Sequence, residues 1–331
     1  DMNNLKVIEE KNDVISQTTG EEGIIRTERE IIDAYISDEY GNKVNTSSYY
    51  MTIELAISPS MGSPFIFHTT TQLNNWCNPY RLHISGMEAM PDIDVEGDGK
   101  LCPQLDKWTM NSYKAVDGIK YAYAQYKPIN DCKKHPLVIW LHGLGEGGTD
   151  PSIDLLANKV TAMAGVPFQK FMNQAYVLVP QCPTMWMDNG KGECKIDTKN
   201  SIYTKSLFEL IDCYVKNNPD IDANRIYIGG CSNGGYMTME MILHYPHYFA
   251  AAFPICEAYH DAYMTNDQID MIKHIPIWFT YAKTDRVIDY TLCTEPTVKR
   301  LLAAGATNVH VSVFDDVRDT TGEYKNEDGS A

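Results

Sequence analysis

Two regimes of hydrophobic patterning divide the chain. Between residues 24 and 84, apolar and polar positions alternate in short runs separated by turn residues. Residues 31–36 read as a strand and 37–42 as a turn. Residues 49–57 place Tyr49, Met51, Ile53, Leu55 and Ile57 on one face before residues 58–64 break the run, and residues 65–69 and 80–84 follow. Alternation of this length marks half-buried strands. With no helical pattern between them, these strands predict a small all-β sandwich, immunoglobulin-like in architecture. The cysteine pair around a core tryptophan that marks antibody domains is not evident, since Trp76 and Cys77 are adjacent. Residues 1–20 are polar and aperiodic, and read as a tail or a first edge strand.

After residue 108 the pattern changes. Strand-like runs at 121–126, 136–141, 175–179, 226–228, 249–255, 277–281 and 309–314 are interleaved with helical candidates at 201–216, 236–243, 266–272 and 296–304. The run 136–141 is apolar throughout, as in a strand buried on both faces. Strands alternating with helices predict a mostly parallel sheet with helices on both faces. The expected division is therefore a β-sandwich and linker over 1–107 and an α/β domain over 108–331. The acidic stretch P-D-I-D-V-E-G-D-G-K at 91–100 reads as linker. Asp92, Asp94 and Glu96 have the spacing of a calcium loop, but its twelfth position is Pro103, where a bidentate Glu is required.

The 331 residues carry 28 Lys+Arg against 44 Asp+Glu, a formal charge of −16. That field repels polyanions, so neither a nucleic acid nor an anionic membrane is an expected partner. No apolar run approaches the ~20 residues of a membrane-spanning helix. No secretory signal is present, yet the chain opens at Asp1 without an initiator methionine, which allows a processed, exported protein. Nine cysteines show no zinc-binding spacing, and Cys182 and Cys194 could close a local disulfide.

Candidate chemistry centres on residues 225–235, R-I-Y-I-G-G-C-S-N-G-G. A β-branched run ends in glycines around one serine, and a helical segment follows. Gly230-Cys231-Ser232-Asn233-Gly234 fits the G-x-S-x-G nucleophile elbow, in which a strained turn exposes the serine hydroxyl. Glycines near a serine also occur in ordinary turns, so the surrounding chain must decide. The Gly-rich L-H-G-L-G-E-G-G at 141–148 directly follows a strand and suits an oxyanion hole. A phosphate-binding loop is the competing reading, but the Lys-Ser/Thr ending is missing. The backbone N–H groups of Leu144 and Asn233 are the expected oxyanion donors. Asp285 follows the strand 277–281, and the order serine then aspartate matches the triad of this arrangement. Asp289 and Glu257 are the alternative acids. A histidine base is expected after the last strand and none is found there. His310 lies near the start of that strand and should point into the sheet or a covering helix. His142 belongs to the oxyanion loop, and His244, His247, His260 and His274 fall in or beside helices before Asp285. The expectation is a base beyond residue 331.

W-L-H-G-L-G-E-G-G from 140, V-P-Q-C-P-T-M-W from 179, the elbow from 225 and P-I-W-F-T-Y-A-K-T-D from 276 together give a specific likeness. The chain resembles the secreted α/β-hydrolase esterases of the feruloyl-esterase, polyhydroxybutyrate-depolymerase and prolyl-oligopeptidase-like group, especially members with an N-terminal immunoglobulin-like domain. The resemblance implies an extracellular serine carboxylesterase acting on small or polysaccharide-linked esters, with Ser232, Asp285, Leu144 and Asn233 in the roles given above. It also implies a loop at the pocket rim carrying Trp186, where a large aromatic could stack on substrate. No metal or organic cofactor is implied. A serine peptidase and a non-catalytic binding module on the same fold are the competing functions.

Overall fold

The structure, a computed structural model, describes residues 4–16, 18–57, 62–87, 90–97, 99–191 and 199–317. The chain divides into two units, Asp1–Pro103 and Gln104–Ala331.

The first unit is all β: β1 (Lys6–Ser16), β2 (Glu21–Arg29), β3 (Ile31–Ser37), β4 (Tyr50–Leu55), β5 (Phe65–His68), β6 (Leu73–Trp76), β7 (Tyr80–Ser85) and β8 (Ile93–Glu96). An antiparallel sheet runs in the order β2-β1-β7-β8, and β3-β4 and β5-β6 form antiparallel pairs. Two expectations are corrected here. Residues 6–16 are neither a tail nor an edge, because β1 is paired on both sides by β2 and β7. Their alternation is hidden in the sequence because charged residues occupy inward positions. Val7, Glu9 and Lys11 are all buried, and Glu9 forms an ion pair with Arg29 while accepting a hydrogen bond from the Tyr80 hydroxyl at 2.7 Å. The acidic stretch 91–100 is more than a linker, because it contains β8, whose Asp94 and Glu96 meet His83 at 2.7 Å and Arg81 at 3.0 Å across the sheet.

The second unit adds β9 (Thr109–Lys114), β10 (Lys120–Tyr126), β11 (His135–Leu141), β12 (Tyr176–Gln181), β13 (Ile221–Cys231), β14 (Ala251–Ile255), β15 (Ile277–Ala282) and β16 (Val309–Phe314). Its helices are α1 (Pro151–Leu156), α2 (Val166–Phe171), α3 (Thr204–Asn217), α4 (Asn233–His244), α5 (Asn266–Ile272) and α6 (Thr294–Ala303). The strands form one sheet in the order β16-β15-β14-β13-β11-β12-β10-β9. Neighbours from β12 to β16 are parallel, and β9 and β10 add two antiparallel strands at one edge. β9, T-M-N-S-Y-K, escapes the sequence pattern because it is polar and mostly exposed.

Every residue of β11 and β12 is buried. Their side chains alternate between two cores, as the pleat requires. Leu137, Ile139, Leu141 and Leu178 join Leu207 and Leu210 of α3 and Tyr236 and Met237 of α4, whereas Trp140, Val177 and Val179 join Leu155 of α1. The sheet is therefore covered on both faces, the layering of the α/β-hydrolase fold. No helix among the described residues is long and apolar enough to cross a membrane.

Candidate active site

In a parallel sheet the carboxyl ends of neighbouring strands share one edge, and the loops leaving them converge there. The loops after β11, β13, β14 and β15 carry Leu144, Ser232, Cys256 and Asp285 respectively, with β13, β14 and β15 adjacent.

Ser232 joins β13 to α4 with φ 53° and ψ −113°. A non-glycine residue at such angles costs on the order of 1–3 kcal/mol and persists only when its surroundings enforce it. The enforcement is steric. A Cβ on Gly230 would lie 2.3 Å from the Leu141 carbonyl oxygen, one on Gly234 would lie 2.0 Å from the same atom, and one on Gly235 would lie 2.7 Å from Glu257 Cα. The backbone N–H of Ser232 donates to the Ile255 carbonyl at 2.9 Å, fixing the turn against β14.

The loop after β11 is held from both sides. Cys182 N–H donates to His142 Nε2 at 2.9 Å, so that nitrogen is unprotonated, and Nδ1–H donates to the Gly143 carbonyl at 2.7 Å. Burial holds the imidazole neutral, with its pKa pushed down to about 4. A buried neutral histidine with both nitrogens engaged is a structural tie. Leu144 itself is 40% exposed. Asn233 is the first residue of α4, where backbone N–H groups lack intrahelical acceptors and give an anion a place to bind.

Asp285 follows β15, and its Oδ1 accepts the backbone N–H groups of Val287 and Ile288, both at 2.9 Å. Ser232 and Asp285 both act on Cys256. Burial pushes the Cys256 thiol up to about 11, the Ser232 backbone hydrogen bond opposes this, and the Asp285 carboxylate adds to it. The thiol is thus protonated near neutrality.

Residues 129–322 match the family described as Phospholipase/Carboxylesterase. The chain belongs to that family. Among solved structures it is similar to a thermostable esterase, with 25% identity and a TM-score of 0.69 over 94% of this chain and 82% of the other. A ferulic acid esterase overlaps with 15% identity and a TM-score of 0.49 over 63% of this chain and 90% of its own. Among curated proteins nothing matches.

Within this carboxylesterase frame, several residues depart from their expected places. Trp186 does not line a pocket rim. It is fully buried, with Tyr121, Tyr203 and His142 at ring separations of 6.4, 6.2 and 5.1 Å. The loop after β12 folds inward because Tyr121, Tyr203 and the core beneath offer the indole an apolar bed. Its link to the site runs through the backbone, since Trp186 N–H donates to Asn233 Oδ1 at 2.6 Å. Glu257 is buried and engaged away from the serine. It accepts Tyr259 N–H at 2.7 Å and meets the Thr294 hydroxyl at 3.0 Å. Asp289 caps the turn through Thr291.

His310 is exposed, contrary to the inward placement expected for it, with Nε2 2.9 Å from Asn308 Oδ1. His244 Nδ1 is 2.9 Å from the Glu240 carbonyl, the rings of His247 and His274 stack at 5.1 Å, and His260 Nδ1 accepts Ala262 N–H. Among the described residues no histidine is hydrogen-bonded to Ser232 or Asp285. Cys182 is a buried thiol, and Cys194, its expected disulfide partner, lies outside the described residues. Sequence reasoning missed Cys256 and Glu146. Their only sequence signal is position, one directly after the strand beyond the elbow and the other two residues past Leu144, the expected oxyanion donor.

Proposed function

We propose that the protein is a serine carboxylesterase that works through an acyl-enzyme. The backbone of Ser232 carries this reading, because a serine held at φ 53° and ψ −113° between a strand and a helix presents its hydroxyl at the sheet's carboxyl edge. In the proposed reaction Ser232 Oγ attacks the ester carbonyl carbon while a histidine base, oriented by Asp285, takes the hydroxyl proton. The N–H groups of Leu144 and Asn233 hold the oxyanion, each contributing on the order of 3 kcal/mol to the transition state. Collapse expels the alcohol, which receives the proton from the base, and water then releases the acid by the reverse sequence. From the likeness of the motifs to secreted esterases, the proposed substrates are short-chain, acetyl or feruloyl esters, including esters on plant polysaccharide, met outside the cell.

The test is hydrolysis of p-nitrophenyl acetate by the protein as its gene encodes it, with fluorophosphonate labelling in parallel. Ser232→Ala should abolish labelling and reduce turnover by at least about a thousandfold. Unchanged turnover in that variant would remove Ser232 from the mechanism.

A further inference from the structure

The loop after β11 contains a carboxylate that the acyl-enzyme reading does not use. Glu146 Oε2 accepts the backbone N–H of Gly143 at 2.7 Å, and its Oε1 accepts Asn158 Nδ2 at 2.7 Å. The Glu146 carbonyl in turn accepts Gln181 Nε2 at 3.0 Å, and the same amide reaches the Asp150 carbonyl at 3.0 Å. The loop thus closes on its own side chain, and the closed loop is tied to the end of β12.

The consequence follows from peptide planarity. The His142–Gly143 peptide is fixed by Glu146 through its N–H. The Gly143–Leu144 peptide is fixed by His142 through its C=O. In a trans peptide the C=O and N–H of one plane point in opposite directions. Pinning the Gly143 oxygen therefore aims the Leu144 N–H the other way, and pinning the Gly143 nitrogen removes the remaining freedom of the plane before it. A glycine at 143 would otherwise leave both planes free to rotate. By occupying the Gly143 N–H, the carboxylate also removes that group as a competing donor.

We propose that Glu146 is a positioning residue of this esterase: its carboxylate, braced by Asn158, clamps Gly143 so that the Leu144 N–H is preorganised to receive the oxyanion. Preorganised donors lower the barrier because they need not reorient as charge develops. The proposal rests on the acyl-enzyme reading with Leu144 as an oxyanion donor, and the experiment separates failure of the clamp from failure of the acyl-enzyme reading.

Paired ester and thionoester substrates with the same acyl and leaving groups distinguish positioning from general damage, since a developing thiolate takes much less from N–H donors than an oxyanion does. Glu146→Ala should lower kcat for the ester by about tenfold to a hundredfold, the range for a misplaced oxyanion donor. KM should change by less than about threefold, and thionoester turnover should fall far less than ester turnover. Glu146→Gln, which retains an acceptor for the Gly143 N–H, should recover most of kcat. Asn158 is exposed, so Asn158→Ala should fold even if Glu146→Ala does not. It should show the same preferential loss on the ester, at about two- to fivefold.

Equal losses on ester and thionoester, or a folded Glu146→Ala variant with unchanged kcat, overturn the proposal. So does an unchanged ester to thionoester ratio in Asn158→Ala where Glu146→Ala fails to fold. Ser232→Ala assayed alongside reports on the acyl-enzyme reading alone. If it is inactive while Glu146→Ala shows no preference, the clamp is wrong and the acyl-enzyme reading stands.

Discussion

Asn233 Oδ1 accepts the backbone N–H of Trp186 at 2.6 Å, so the residue after the candidate nucleophile holds the loop that follows β12. Both residues are buried, at 2% and 0% exposure, and water cannot replace this hydrogen bond. Removing the acceptor strands the Trp186 N–H, at a cost of about 1–3 kcal/mol. Asn233→Ala should therefore lower the urea midpoint by a corresponding amount and reduce kcat by loosening the start of α4. Asn233→Asp, which keeps an acceptor, should recover much of the stability. Full stability in Asn233→Ala would show that the bond contributes nothing.

The burial of Trp186 leads to a second expectation. A rim aromatic that stacked on substrate would change KM selectively among acyl groups when truncated. A core aromatic costs stability instead, about 3–5 kcal/mol for Trp→Ala. Trp186→Ala should fall in the second class, and Trp186→Phe should retain most of the stability. KM measured for acetyl, butyryl and feruloyl esters with Trp186→Phe should shift by a common small factor. A shift confined to the aryl ester would return Trp186 to the pocket.

The elbow can be read from the sequence because its glycines are required by backbone contacts within a short span, and a side chain at Gly230 or Gly234 would collide with the Leu141 carbonyl. The buried strands β11 and β12 are legible for a similar reason, since strands apolar on both faces leave few alternatives. What stays hidden depends on partners distant in sequence. His142 is a tie because of Cys182, 40 positions away. Trp186 is a core residue because Tyr121 and Tyr203 pack against it, and an indole reads the same locally whether it ends up inside or at a rim. β1 is obscured for a different reason, because Glu9 and Lys11 occupy inward positions where the pattern needs apolar residues.

That inward charge gives an expectation for the N-terminal unit. Arg29 and Glu9 form a buried ion pair, the Arg29 guanidinium also donates to the Ala56 carbonyl at 2.6 Å, and Lys11 Nζ lies 3.7 Å from Glu9 Oε1. Removing one partner of a buried pair leaves an uncompensated charge, at about 3–5 kcal/mol, and the nearby lysine places this case toward the lower end. Arg29→Met should destabilise the unit by about 3 kcal/mol, and adding Glu9→Leu should recover most of that loss. Urea unfolding of the parent, the single variant and the double variant checks it. A double variant no more stable than Arg29→Met would mean that packing, and not the stranded carboxylate, sets the cost.

Glu257 ties stability to pH. Burial pushes its carboxyl up to about 8 from an ordinary 4.5, and the Tyr259 N–H and Thr294 hydroxyl bonds only partly offset this. In the folded chain the carboxyl is protonated at neutrality, with Oε2 accepting from Tyr259 N–H and Oε1 accepting from the Thr294 hydroxyl. Because the folded pKa is raised, the native state binds the proton more tightly than the unfolded state. The resulting stability is fully present below about pH 4.5 and is lost as pH rises through about 8. The swing is on the order of 5 kcal/mol. Glu257→Gln is isosteric and cannot ionise, and its amide oxygen keeps an acceptor for the Tyr259 N–H. This variant should be about as stable as the parent at pH 5 and more stable at pH 9, with a flatter profile between. Chemical unfolding of both proteins across that range measures the difference, and parallel profiles would show that Glu257 does not titrate in this window.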